Sequence, residues 1–235
     1  MGRAFEFRKE RKFKRWSKMA KTFTKIGREI AMATKDGGPD PEVNSRLRLA
    51  IQNSKAANMP KDTVARAIKN ACDKDTADYK EILFEGYGSH GIAILVETAS
   101  DNNNRTVANV RACFNKCNGN MGTTGSVSFM FDHKCHLKID KGELDPEELE
   151  FELIDHGAEE VFLEDEHIMI YGNFEAFGSL QSALEGMNLE IIESGFERIP
   201  QTMTQLTEEQ EADIEKLLEK LEDEDDVQNV FHNMA

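Results

Sequence analysis

Long apolar runs are the first thing this sequence lacks. The longest, Ile92-Ala93-Ile94-Leu95-Val96, is five residues, where a membrane-spanning helix takes about twenty. Cysteine is scarce as well, with four in 235 residues, which excludes a disulfide scaffold. The thiols read as reduced and the compartment as cytoplasmic. A targeting address is also missing. The Arg- and Lys-rich N-terminus has no apolar h-region, Glu6 and Glu10 do not suit a transit peptide, and Glu6 stands where a myristoylation signal needs Ser or Thr. Neither an internal repeat nor a low-complexity linker is present. What remains is 39% apolar and 31% charged, a composition for folded domains rather than disorder.

The net charge of −15 conceals a partition. Residues 1–74 hold 19 Lys+Arg against 8 Asp+Glu, whereas residues 75–235 hold 10 against 36. Such asymmetry directs the basic part to a polyanion, which the acidic remainder repels. Nucleic acid is the first candidate and a membrane surface the second. The basic residues crowd into positions 1–28: Arg3, Arg8, Lys9, Arg11, Lys12, Lys14, Arg15, Lys18, Lys21, Lys25 and Arg28, opposed only by Glu6 and Glu10. A solvated face usually mixes signs so that neighbours pair; this one repels itself unless phosphate is present. These eleven cations are the candidate nucleic-acid-binding residues. Phe5, Phe7, Phe13 and Trp16 are interleaved among them and suit stacking on bases, although Phe13 and Trp16 also fit a core stripe.

Periodicity predicts the elements. Phe13, Trp16, Ala20, Phe23, Ile26, Ile30 and Ala33 trace one face of a long helix, which Gly37-Gly38-Pro39 stops. Asp40-Pro41-Glu42 reads as the start of a second helix, burying Val43, Leu47, Ala50, Ile51 and Ser54. A third starts near Met59-Pro60-Lys61-Asp62 and packs Val64, Ile68 and Cys72. Beyond residue 76 the period changes. Strands are expected at Tyr79–Tyr87, Ile92–Thr98 and Ser126–Asp132, with a helix at Thr106–Asn118. Residues 134–192 then read strand, helix, strand, strand, helix, strand, the ferredoxin-like order. A further strand is expected after Gly195, then a helix opened by the capping box Thr207-Glu208-Glu209-Gln210, and a docked terminal turn. The fold class is α+β, with three expected domains: a basic helical one over 1–76, an α/β one over 77–132 plus 195–235, and an inserted ferredoxin-like one over 133–194.

Motifs with chemical overtones have plainer readings. Gly86-Tyr87-Gly88-Ser89-His90-Gly91 matches G-x-G-x-x-G, but a strand follows where a dinucleotide site needs a helix, so a hairpin turn is expected. Cys113, Cys117, His133 and His136 superficially resemble a zinc set. Yet two histidines three apart on a strand face opposite ways, and buried thiols with surface histidines are the better reading. Asp101-Asn102-Asn103-Asn104-Arg105 opens like a calcium loop, but Arg105 occupies a ligand position; an asparagine-rich helix cap is expected instead. No nucleophile with a base and no carboxylate pair in a recognisable cleft stands out. The chain is read as non-enzymatic, with no catalytic residue, cofactor, metal or small-molecule substrate.

Several segments together resemble one family. They are Phe23-Thr24-Lys25 through Ile30, Gly37-Gly38-Pro39-Asp40-Pro41, Asn44-x-Arg46-Leu47-Arg48-Leu49-Ala50-Ile51, Lys55-Ala56-Ala57-Asn58-Met59-Pro60-Lys61-Asp62, Arg66-Ala67-Ile68, Tyr79-Lys80-Glu81, Glu85-Gly86-Tyr87-Gly88, Asp101-Asn102 with Asn104-Arg105-Thr106, Gly119-Asn120-Met121-Gly122 and Gly125-Ser126-Val127-Ser128-Phe129-Met130-Phe131. The chain is similar through them to the YebC/PmpR family, which includes a mitochondrial translational activator of cytochrome oxidase. Its opening, Gly2 to Lys9, departs from the family's usual Gly-His-Ser-Lys-Trp. The resemblance implies a helical first domain, an α/β second domain and a ferredoxin-like third domain inserted into the second. It further implies a DNA-binding transcriptional regulator. The alternatives are a ribosome-associated factor that binds ribosomal RNA, and an acidic protein-interaction adaptor.

Overall fold

The computed structural model describes residues 3–73 and 78–235, with side chains from Met19 onward. It divides into two compact units, Met1–Thr76 and Ala77–Ala235.

The first unit is helical: α1 (Arg3–Gly37), α2 (Ser45–Ala56) and α3 (Lys61–Cys72). Its core joins Ile30 and Ala33 of α1 to Leu47 and Ala50 of α2, Met59, and Val64 of α3, with Phe23, Ile26 and Ile68 packed around them. The start of α2 differs from expectation. Residues 41–43 form a turn, in which Asp40 accepts the Glu42 N–H at 2.9 Å, and the N-cap is Asn44. Val43, expected inside, is 76% exposed. Asn44 prevails because its amide does three jobs. Its Oδ1 accepts the Leu47 N–H at 3.0 Å, and its Nδ2 donates to the carbonyls of Ala33 (2.7 Å) and Gly38 (2.8 Å). Asp40 satisfies only a local turn. Cys72, expected to pack inward, is exposed, and Ala71 is buried instead.

The second unit carries two four-stranded sheets. The first has the order β3-β1-β2-β8, built from β1 (Lys80–Tyr87), β2 (Ala93–Ser100), β3 (Asn120–Met121) and β8 (Val227–His232). β1 and β2 are an antiparallel hairpin whose turn is the glycine-rich segment, as expected. Alternation along β2 sends Ile94 and Val96 to α4 (Asn103–Lys116) and α7 (Glu208–Asp223), and Ala93 and Leu95 to Val127 and Phe131. α7 opens with the expected capping box, Gln210 Oε1 accepting the Thr207 N–H at 3.1 Å. The terminal turn proves to be strand β8, paired antiparallel to β2.

The second sheet has the order β5-β6-β4-β7, all antiparallel, from β4 (Phe131–Asp140), β5 (Ala158–Glu164), β6 (His167–Asn173) and β7 (Ile191–Pro200). With α5 (Pro146–Leu153) and α6 (Phe177–Gly186) this is the ferredoxin-like order β4-α5-β5-β6-α6-β7. Cys135, Leu137, Ile139, Ile168 and Ile170 are buried, as are Leu149, Leu153, Leu180 and Leu184 of the two helices. Two strand expectations fail here. Residues 128–130 form a 3-10 turn with Phe129 68% exposed, so the strand begins only at Phe131. The segments expected as separate strands around Gly195 are one strand, pairing with β4 from Phe131 to Ile139. Gly195 does not break it. A Cβ there would lie 2.8 Å from the His136 ring, so the glycine admits the ring of the neighbouring strand.

Candidate nucleic-acid interface

α1 carries every one of the eleven predicted cations. Positions 14, 18, 21, 25 and 28 follow one another at steps of four and three, so they share one side of the helix. Phe23, Ile26, Ile30 and Ala33, which pack against α2 and α3, lie on the other. Arg3, Arg8, Lys9, Arg11, Lys12, Lys14, Arg15 and Lys18 fall within the backbone of α1, and their side chains lie outside the described residues, as do those of Phe5, Phe7, Phe13 and Trp16. Lys21, Lys25 and Arg28 are described, half-buried, and each interacts with neighbours. Two other basic residues of this unit hold its loop together. Arg46 Nη1 donates to Asp36 Oδ2 at 2.9 Å, and Arg48 donates to the carbonyls of Pro41 and Glu42, both at 3.0 Å. The motif from Gly37 to Arg48 is thereby explained as a fold determinant.

Two buried carboxylates explain the motifs of the second unit in the same way. Glu85, 2% exposed on β1, accepts the backbone N–H groups of Gly125 (2.7 Å), Val127 (2.7 Å) and Ser128 (2.8 Å). Burial pushes its carboxyl up, but the three donors outweigh this and hold it below the usual carboxylate value. Donors bound to Glu85 are unavailable to a neighbouring strand, which is why 126–130 turns. Asp226, just before β8, accepts from Ser100 Oγ (3.1 Å), Thr106 Oγ1 (2.8 Å) and Arg105 Nη2 (3.0 Å). Burial raises it, and the bonds from Thr106, Arg105 and Ser100 bring it below its ordinary value. The asparagine-rich segment caps α4 as expected, Asn102 Oδ1 accepting the Arg105 N–H at 3.2 Å. Glu85, Asp226 and Asn44 escaped sequence reasoning as anchors. The one signal was a charged residue inside an apolar alternation, Phe84-Glu85-Gly86.

The superficial zinc set is divided between the two sheets. Cys113 lies on α4 and Cys117 caps its C-terminal end, both near α7, where Lys220 Nζ donates to Cys117 Sγ at 3.3 Å and burial raises the Cys113 thiol. His133 and His136 are on β4. His133 stacks on Phe174 with centroids 4.1 Å apart, whereas His136 Nδ1 lies 3.3 Å from Glu197 on the opposite face. Among the described residues no three His, Cys, Asp or Glu side chains are grouped to hold a metal ion, and no helix is long and apolar enough to cross a membrane.

Comparison with known proteins covers both units. Residues 3–74 match the TACO1/YebC protein N-terminal domain, and residues 79–234 match the TACO1/YebC second and third domain. A "Probable transcriptional regulatory protein" of Flavobacterium johnsoniae is 69% identical over 234 residues, covering 100% of this chain and 99% of that one. One of the same description from Parabacteroides distasonis is 57% identical, covering 100% and 97%. The crystal structure of the conserved hypothetical protein Aq1575 from Aquifex aeolicus superposes with a TM-score of 0.78 at 38% identity, covering 92% of this chain and 90% of that one.

Proposed function

The chain belongs to the TACO1/YebC family, and from that premise we propose that it is a non-enzymatic cytoplasmic regulator of gene expression that binds nucleic acid, duplex DNA first. The observation carrying this reading is the charge on α1: eleven cations against two carboxylates in residues 1–28, at the start of a chain whose net charge is −15. The names of its relatives support the regulatory part. The interface is electrostatic in this reading. Cations on α1 neutralise phosphates, and the acidic second unit keeps the polyanion away from its own surface.

Phosphate contacts make affinity fall with salt, by roughly 0.9 in log–log slope for each phosphate neutralised on duplex DNA. With about five engaged, affinity falls roughly 500-fold between 50 and 200 mM salt. Replacing Arg8, Lys9, Arg11 and Lys12 by Gln is expected to flatten that slope by about three units. Replacing Lys134, Lys138 and Lys141 by Gln leaves it unchanged. Equal losses from both sets, or a slope insensitive to the first, would make α1 a solvated face. The same charge fits ribosomal RNA, the second reading, because phosphate contact carries no sequence information. Sedimentation of lysate through a sucrose cushion, with and without nuclease, separates the two.

A further inference from the structure

The second unit presents an apolar spot inside an acidic surface. α5 turns Leu149 and Leu153 into the second sheet, and its outward side carries Phe151, 81% exposed, the most exposed large apolar side chain among the described residues. Ile154, 55% exposed, follows three residues on, still at helical dihedrals of φ −54° and ψ −45°. Residues three apart are neighbours on a helix surface, so the two form one patch. Glu147, Glu148 and Glu152 lie beside Phe151 on the same helix, and Asp155 follows Ile154.

A scattered exposed apolar residue needs no explanation, and an acidic run is ordinarily a solvated face. Here the two coincide, and the charge selects among occupants. Residues 133–194 hold 3 Lys and no Arg against 17 Asp+Glu. A second copy of the same face would set like charges against like, and nucleic acid or an anionic lipid surface is repelled in the same way. A cationic partner is attracted, and binding it lets Phe151 and Ile154 leave water.

We propose that the outward face of α5 docks a cationic amphipathic segment of another protein. Its apolar anchor sits on Phe151 and Ile154, and its Lys or Arg residues meet Glu147, Glu148, Glu152 and Asp155. This is helix-face recognition through residues spaced by three and four. The site is separate from α1, so it stands whether or not the nucleic-acid reading does.

The test uses the full chain and, as probe, a fluorescently labelled short amphipathic helix of leucine and lysine, followed by anisotropy. The protein is expected to bind it and to ignore a leucine and glutamate counterpart. Phe151→Ser with Ile154→Ser weakens binding about tenfold. Both side chains are exposed, so the melting temperature holds. Glu147→Gln with Glu148→Gln and Glu152→Gln weakens binding and flattens its salt dependence. Glu208→Gln with Glu209→Gln and Glu215→Gln, exposed on α7, leaves binding within about twofold. Equal losses from the α7 set would make the attraction that of a general polyanion and overturn the proposal. So would an affinity indifferent to Phe151 and Ile154. A dimer in sedimentation that the Phe151 and Ile154 substitutions dissociate would assign the face to a second copy instead. DNA affinity unchanged by the α5 substitutions keeps this outcome distinct from that of α1.

Discussion

Glu85 and Asp226 are each a single charged atom group around which a loop is ordered, and both hold their proton less tightly than a free carboxylate does. In the folded state they bind fewer protons than in the unfolded chain wherever the pH lies between the two values. Stability from these groups is therefore present above the ordinary carboxylate value, about 4, and is lost as the pH falls through the folded one. Urea unfolding is expected to show a steep loss of stability below about pH 4. Glu85→Gln keeps the shape but replaces an anionic acceptor of three N–H groups by one neutral oxygen and a donor with nothing to meet. It is expected to cost about 1–3 kcal/mol at pH 7 and to make the acid limb shallower. An acid limb of wild-type steepness in this variant would place the proton uptake elsewhere.

Helix ends are decided by one residue each. α2, α4 and α6 are all followed by asparagine in the left-handed region, Asn58, Asn118 and Asn188, with φ of 56°, 56° and 59°. In the first and last the chain closes with paired bonds: Met59 N–H to the Ser54 carbonyl at 2.8 Å with Asn58 N–H to the Lys55 carbonyl at 2.9 Å, and Leu189 N–H to the Leu184 carbonyl with Asn188 N–H to the Glu185 carbonyl, both at 3.0 Å. These are Schellman closures in which asparagine stands where glycine is commoner. Exposed Asn188 replaced by Gly is expected to keep or slightly raise the melting temperature. Asn188→Val is expected to cost about 1–2 kcal/mol, because a β-branched side chain resists positive φ. At the other end of α2, Asn44→Ala removes a cap and leaves the buried Ala33 carbonyl and the half-buried Gly38 carbonyl without their donor. A loss of about 2–4 kcal/mol is expected, from a cap worth about 1 and unmet groups costing 1–3, read as the thermal unfolding of residues 1–76. The capping box of α7 and the glycine-rich turn at Gly86–Gly91 were legible because their partners lie within a few residues. Asn44 was not, since two of its three partners, Ala33 and Gly38, lie in the preceding helix and loop, and only packing brings them within reach.

For the molecule as a whole, the closing residues matter beyond their number. β8 pairs with β2 along Ile94 to Thr98, Val227 is fully buried, and Asn233 Oδ1 accepts the Ala93 N–H at 2.9 Å. A fragment 78–235 is expected to unfold cooperatively in circular dichroism. Ending it at Asp226 bares one edge of the most buried strand, and loss of the cooperative transition, with aggregation, is expected. A truncated fragment as stable as the longer one would make β8 an ornament of the sheet. The ion pair between Arg198 of β7 and Glu97 of β2, at 3.1 Å, ties the two sheets across the same region.

By itself the sequence determined whatever depends on local period and net charge. That covers the helical first unit, the βαββαβ order, the hairpin at Gly86–Gly91, the caps of α4 and α7, and the placement of the cations on one helix. Each follows from residues within a few positions of one another or from charge, which is read without knowing the fold. The tertiary structure alone decided the rest. It carried β7 through Gly195 because a histidine ring on the next strand needs the missing Cβ. It turned 128–130 aside because a buried carboxylate some forty residues away takes the amide groups. It made the C-terminus a strand because β2 had an edge to fill, and it gathered Ser100, Arg105, Thr106 and Asp226 into one cluster. Those outcomes rest on pairings between distant residues, where the competing local signals are equally good and only burial of the polar groups chooses between them.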